Sequence, residues 1–200
     1  MTPSRYARKS KTRTPKKLYI APEGTKTEYN YFAGLKKVLR KEHIDIIPIK
    51  RDPKQERRGT SPDKILALAV DYCQKNNVKI SEYIRVAIVV DYDRWSKLIP
   101  KTYKEANQRK FDFYVSNPCI ELWFVLHDHL LSEEEKRELT TCAKCKQLWN
   151  EIFKGNYEGL YPLTTKAIEN AKVLDKDCNS AWPLEAGTHI YKIFNFLELS

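Results

Sequence analysis

The stretch YIRVAIVVDYD (83–93) decides the fold. Its first eight residues are nearly all apolar or β-branched, and two aspartates follow directly. Such a run is typical of a central strand in a parallel sheet, where helices cover both faces. Ligands of open parallel sheets bind outside the carboxyl ends of the strands. The stretch therefore predicts a buried strand over 83–90 that carries Asp91 and Asp93 to the functional edge of the sheet.

Three weaker strand patterns surround this central strand: KLYIA (17–21), IDIIPIK (44–50) and FDFYVS (111–116). Segments with apolar residues at helical spacing separate them, which gives the order β-α-β-α-β-α-β-α. This alternation favours parallel strands joined by right-handed crossovers. The sequence predicts an α/β fold with a Rossmann-type, four-stranded, mainly parallel sheet flanked by helices.

The two ends of the chain differ in composition from this central part. Residues 1–17 hold seven Lys or Arg residues and no acid, and we expect residues 1–16 to form a disordered basic arm. Residues 17–130 form the predicted α/β domain. Residues 131–200 contain helical patterns only, so we expect a helical extension, or annex, packed on the same domain.

The composition also indicates where the protein works. The apolar runs are much shorter than the roughly 20 residues that a membrane span needs, and no apolar segment of a secretory signal follows the basic N-terminus. The five cysteines are odd in number and unevenly spaced, which favours reduced thiols over a disulfide framework. We therefore expect a cytoplasmic protein.

Acidic residues occur at the predicted ends of the strands. Glu23 follows the first strand, Asp91 and Asp93 follow the third, and Glu121 lies in the first turn of the helix after the fourth. Clustered carboxylates are tolerated when a hard cation lies between them, and Mg²⁺ prefers oxygen ligands. The pattern predicts a Mg²⁺ site, with Mn²⁺ as a substitute. Two alternatives stay open: turn-forming aspartates, and a Glu121 that stabilises only its own helix.

Basic residues near these acids suit a polyanionic partner, since each neutralised phosphate releases counterions. Lys26 follows Glu23 in the same loop, and Arg94 follows the aspartates. A second basic cluster, KRDPKQERR (50–58), supplies further phosphate-binding candidates, namely Lys50, Arg51, Arg57 and Arg58. The alternative is that these are ordinary solvated surface charges.

Three motifs carry a resemblance to a known family. EGTKTEYNYFAGLK (23–36), DYDR (91–94) and SNPCIELWFVLHD (116–128) resemble the RloB-like family, which is related to Toprim nucleases and found beside restriction and phage-defence genes. The resemblance implies a Toprim-like fold in which Glu23, Asp91 and Asp93 are catalytic and bind Mg²⁺. Glu121 would be a further ligand because of its position within the last motif.

The resemblance implies a Mg²⁺-dependent nuclease that cleaves DNA or RNA, with tRNA among the substrates to test. It would act as an effector in anti-phage defence, together with an AAA-type ATPase partner. A binding subunit with a degenerate Toprim fold, which docks nucleic acid or the ATPase without cutting, is the alternative. A topoisomerase- or primase-like phosphotransfer activity is a third reading, although the chain is short for the accessory domains of such enzymes.

Overall fold

The computed structural model describes residues 14–39, 43–51 and 60–199 of the 200-residue chain. Its centre is a five-stranded sheet in the order β2-β1-β3-β4-β5. The first four strands pair in parallel, and β5 is antiparallel to β4. The strands are β1 (Lys16–Pro22), β2 (Ile44–Pro48), β3 (Ile84–Asp91), β4 (Asp112–Asn117) and β5 (Gly187–Thr188).

Helices flank the sheet, so the predicted α/β class is confirmed. No helix in the described part of the chain combines the length and the apolar character needed to cross a bilayer. The helices are α1 (Thr27–Leu39), α2 (Pro62–Lys75), α3 (Ile99–Gln108), α4 (Glu121–Val125), α5 (Glu133–Glu138), α6 (Cys142–Phe153), α7 (Thr164–Leu174) and α8 (Lys192–Leu197), with a short 3₁₀ helix at Tyr161–Leu163.

The central strand β3 separates two apolar cores, as its sequence predicts. Side chains of a strand alternate between the faces of a sheet. On one face, Ala87 and Val89 belong to a core formed with α1, α4, α6, α7 and α8. On the other face, Val86, Ile88 and Val90 pack with α2 and α3. All five side chains are almost completely buried, which explains why the strand tolerates so few polar residues.

The prediction of four strands is wrong, because a fifth strand lies in the region expected to be only helical. Gly187–Thr188 pairs with Ser116 and Asn117 at the edge of β4. The hydroxyl groups of Ser116 and Thr188 are also hydrogen-bonded at 2.7 Å. A strand of two residues has no measurable side-chain period, so the sequence could not reveal it. Of the predicted disordered arm, residues 1–13 lie outside the described residues, and Lys16 already begins β1.

A buried hydrogen-bond network joins α1 to α4. The indole Nε1 of Trp123 donates to the hydroxyl of Tyr31 at 2.9 Å, and this hydroxyl lies 3.4 Å from Nε2 of His127. The ring Nδ1 of His127 is 2.9 Å from the carbonyl oxygen of Trp123. Burial lowers the pKa of His127 to about 4, which keeps the ring neutral. We therefore assign the proton to Nδ1, which leaves Nε2 to accept from Tyr31.

We predict that Tyr31→Phe destabilises the protein by about 1–3 kcal/mol, because it leaves the buried indole N–H of Trp123 and Nε2 of His127 without partners. Urea unfolding of wild type and variant measures this loss. Tyr103→Phe is the matched control, since Tyr103 is only partly buried and packs edge-on against Phe113 and Trp182. An equal loss in both variants would contradict a stabilising role for the network.

Candidate active site

A cavity of about 320 Å³ lies where β1 and β3 end, at the carboxyl edge of the sheet. Five acidic and four basic residues line it, together with small polar groups. The acidic residues are Glu23, Glu28, Asp91, Asp93 and Glu121, and the basic residues are Lys26, Arg51, Arg94 and Lys146. The structure thus brings together all four carboxylates that the sequence placed at strand or helix ends, and it adds Glu28.

Glu23 is fixed to the end of β3 by hydrogen bonds. Its backbone N–H donates to the carbonyl oxygen of Val89 at 2.9 Å. Its carboxylate accepts from the backbone N–H of Asp91 at 3.0 Å, from the indole of Trp95 at 2.9 Å and from the hydroxyl of Thr60 at 3.3 Å. Burial raises the pKa of Glu23, although these three hydrogen bonds oppose the shift. The Glu23 carboxylate is therefore held at the end of β3, beside the backbone of Asp91.

The loop that holds Asp91 and Asp93 is tied to the loop before α4. The Asp91 carboxylate accepts from the backbone N–H of Ile120 at 2.9 Å. The backbone N–H groups of Tyr92 and Asp93 donate to the carbonyl oxygen of Pro118 at 3.1 and 3.2 Å. These contacts join two of the sequence motifs directly. Asp91 lies deeper in the cavity, whereas Asp93 is exposed.

The electrostatic environment of Asp91 is strongly unfavourable for a negative charge. Burial is the largest cause that raises its pKa well above the ordinary value, and the charges of Glu23, Glu28 and Glu121 add to it. The opposing contribution comes from the N–H group of Ile120. Like charges this close raise one another's pKa values unless a cation neutralises them.

Glu28 and Glu121 are the two acidic residues of the cavity that are buried as whole residues, with 6% and 4% of their surfaces exposed. The Glu28 carboxylate accepts from the backbone N–H of Gly24 at 2.8 Å. A Cβ at position 24 would collide with that carboxylate, so a side chain there would displace the Glu28 carboxylate from this position. Burial, reinforced by the charges of Glu121 and Glu23, raises the pKa of Glu28 to about 7. Oε2 of Glu121 is buried and has no hydrogen-bond partner among the described residues.

The basic residues occupy different positions around the cavity. Arg51 is buried, and its guanidinium donates to the carbonyl oxygen of Glu23. Lys26 and Arg94 are exposed at the rim, where a phosphate could reach them. Lys50 is exposed and does not line the cavity. The predicted phosphate-binding residues Arg57 and Arg58 lie outside the described residues.

Sequence reasoning missed several residues of the site. Glu28, an acid in the first turn of α1, and Lys146 on α6 line the cavity but are not among the predicted site residues. Trp95 and Thr60, which hold the Glu23 carboxylate, were also missed. Only the position of Trp95, two residues after Asp93, could have indicated its role. The other residues come from separate elements that meet only in the folded protein.

No three His, Cys, Asp or Glu side chains of the described ranges converge closely enough to enclose a metal ion as they stand. The charges of Glu23, Glu28 and Glu121 nevertheless raise the pKa of Asp91, and those of Glu121 and Glu23 raise the pKa of Glu28. The arrangement is a concentrated negative site without a closed ligand cage.

The fold and the cavity define an α/β protein with an acidic site at the carboxyl edge of a mostly parallel sheet. The chain belongs to the RloB-like protein family, whose family model matches residues 18–197. The match extends beyond the three motifs to the C-terminal helices. No curated protein matches the chain. No solved structure matches it either.

We predict that Asp91→Asn stabilises the metal-free protein at neutral pH by about 1 kcal/mol, within the usual range of single stabilising substitutions, because burial and the neighbouring carboxylates oppose the ionisation of Asp91. The asparagine keeps the oxygen that accepts from Ile120 but removes the buried charge. Thermal unfolding in EDTA should show the gain, and added Mg²⁺ should stabilise wild type more than the variant. Asp71→Asn, at an exposed ion pair with Lys75, is the control. A melting temperature at or below that of wild type would contradict the proposed repulsion.

Proposed function

We propose that the protein is a Mg²⁺-dependent nuclease that hydrolyses phosphodiester bonds in DNA or RNA. The observation that supports this most is that five acidic residues, two of them buried, line one cavity whose rim carries Lys and Arg. A site of this kind combines ligands for a divalent cation with groups that can hold a phosphate. An ordinary structural ion-pair network does not require an excess of buried acids over bases.

The donor set of the cavity fits Mg²⁺. Glu23, Asp91, Asp93 and Glu121, which all line the cavity, would hold it. Oε2 of Glu121 is buried and has no hydrogen-bond partner among the described residues, so a bound cation would supply the partner that it lacks. Glu23 remains available although protein donors contact both of its oxygens, since each carboxylate oxygen can accept more than one bond. When bound, Mg²⁺ polarises the phosphoryl group and lowers the pKa of its water.

The chain's own groups would position the reacting atoms. Trp95 and Thr60 hold the Glu23 carboxylate towards Asp91, and Ile120 holds that of Asp91. Lys26 and Arg94 at the rim would contact phosphate oxygens of the bound strand. Glu28, which lines the cavity beside these carboxylates, would accept a proton from the attacking water.

Further parts of the proposal come from the resemblance that the motifs carry. We propose a Toprim-like arrangement of the sheet, with the nuclease acting in the cytoplasm as an effector of anti-phage defence. An AAA-type ATPase would be its partner and would hold it inactive until infection. Cleavage assays on each substrate would show whether the protein cuts DNA, tRNA or another RNA.

A non-cutting subunit that binds nucleic acid or the ATPase is the second candidate. Two observations favour it: no set of described side chains already encloses a metal ion, and the Glu23 carboxylate already accepts three hydrogen bonds from protein donors. This candidate predicts salt-sensitive nucleic-acid binding that survives Asp91→Asn together with Asp93→Asn. It also predicts the absence of cleavage with every divalent cation.

We expect Mg²⁺-dependent cleavage of plasmid, single-stranded oligonucleotide or tRNA by the wild-type protein, and none in EDTA. Glu23→Gln and Glu121→Gln should each lower the cleavage rate roughly 100-fold or more, because both remove a carboxylate that the reaction needs. The control is Glu105→Gln, which changes an exposed carboxylate that pairs loosely with Lys101 on α3. Cleavage that is equally fast in all three variants would reject the assignment of the site.

A further inference from the structure

Lys146 lies on α6, a helix that the sequence motifs do not include. Cys145 and Trp149 on the same helix are buried, and the ring of Trp149 packs 5.4 Å from that of Phe124 on α4. This packing fixes the helix beside the cavity and directs Lys146 into it. The ammonium Nζ lies 3.8 Å from Oε1 of Glu121, which lines the same cavity.

The contact between Lys146 and Glu121 is too loose to satisfy either group. A separation of 3.8 Å is longer than a charge-assisted hydrogen bond, and the lysine side chain is 54% exposed. The Glu121 side chain is only 5% exposed, so removal of a neighbouring cation would leave a buried charge without compensation. The second oxygen of Glu121 stays buried without a partner among the described residues. Lys146 can therefore leave Glu121 at little cost only when another cation takes its place beside the carboxylate.

A cation bound by the carboxyl groups would change the electrostatic forces that act on Lys146. The ammonium would then face another positive charge through Glu121, and the attraction that holds it there would be largely cancelled. A phosphodiester bound at the same cation would offer it an anionic oxygen instead.

We propose that Lys146 is a substrate-contacting residue, which moves from Glu121 to the scissile phosphate when a divalent cation occupies the acidic site. The inference rests on the proposed nuclease function and extends it to α6. The phosphate would then be held from two sides: Lys146 approaches it from α6, while Lys26 and Arg94 approach it from the rim formed by the loops after β1 and β3.

A lysine that contacts the substrate should affect strand binding and cation binding differently from a lysine that only stabilises the fold. Removal of the ammonium should weaken binding of a nucleic-acid strand, since one phosphate contact is lost. The same change should strengthen binding of a divalent cation, because one positive charge near the carboxylates disappears. A lysine that only stabilised the fold through Glu121 would not shift the two affinities in opposite directions.

The test uses the full chain with Ca²⁺ in place of Mg²⁺, so that a fluorescent oligothymidylate binds without cleavage. Lys146→Met should raise the Kd for the strand about fivefold to tenfold and lower the salt slope by roughly 0.7, the value for one phosphate contact on a single strand. Electron paramagnetic resonance of Mn²⁺ should show severalfold tighter metal binding. Lys146→Arg should restore strand binding.

The matched control is Lys144→Met, which removes an exposed lysine of the same helix that does not line the cavity. The proposal is overturned if both Met variants bind the strand alike, if the wild type does not bind it, or if Lys146→Met weakens Mn²⁺ binding. The nuclease proposal can fail separately. If the two affinities shift in opposite directions but no Mg²⁺-dependent cleavage occurs, Lys146 still contacts phosphate and the proposed hydrolysis is wrong.

Discussion

The site depends on keeping several carboxyl groups close together in a partly buried cavity. Burial and mutual repulsion both oppose their ionisation, which is why the pKa of Asp91 lies well above its ordinary value and that of Glu28 is about 7. A fold retains such an arrangement only if other contacts compensate for it. This cost is typical of sites whose charges are matched by a ligand, and it links the acidic cluster to function more closely than any single motif does.

The compensation comes from the backbone and from the buried network between α1 and α4. Backbone N–H groups of Gly24, Asp91 and Ile120 each donate to a carboxylate of the cavity. The contact between Tyr31 and Trp123 fixes the two helices, one of which carries Glu28 and the other Glu121. In both the first and the last motif, some residues therefore form the core, and others form the site that this core positions.

Much of this site could be predicted because parallel strands end at one edge of the sheet. The positions of Glu23 and Asp91 follow from two short apolar runs, and no knowledge of packing is needed. Glu28 and Lys146 could not be assigned in the same way, since the rotation of a helix about its axis and its distance from the sheet are set by tertiary contacts. The strand at Gly187–Thr188 is too short to have a period, so its place beside β4 is visible only in the structure.

The central claim is that the carboxyl groups of Asp91 and Glu121 share a divalent cation. Anomalous diffraction from a crystal of the protein soaked in Mn²⁺ tests it most directly. We expect a strong anomalous peak in the cavity, within coordination distance of Oε2 of Glu121 and of the Asp91 carboxylate. A well-ordered cavity without such a peak, or with Mn²⁺ bound only elsewhere on the surface, would contradict it.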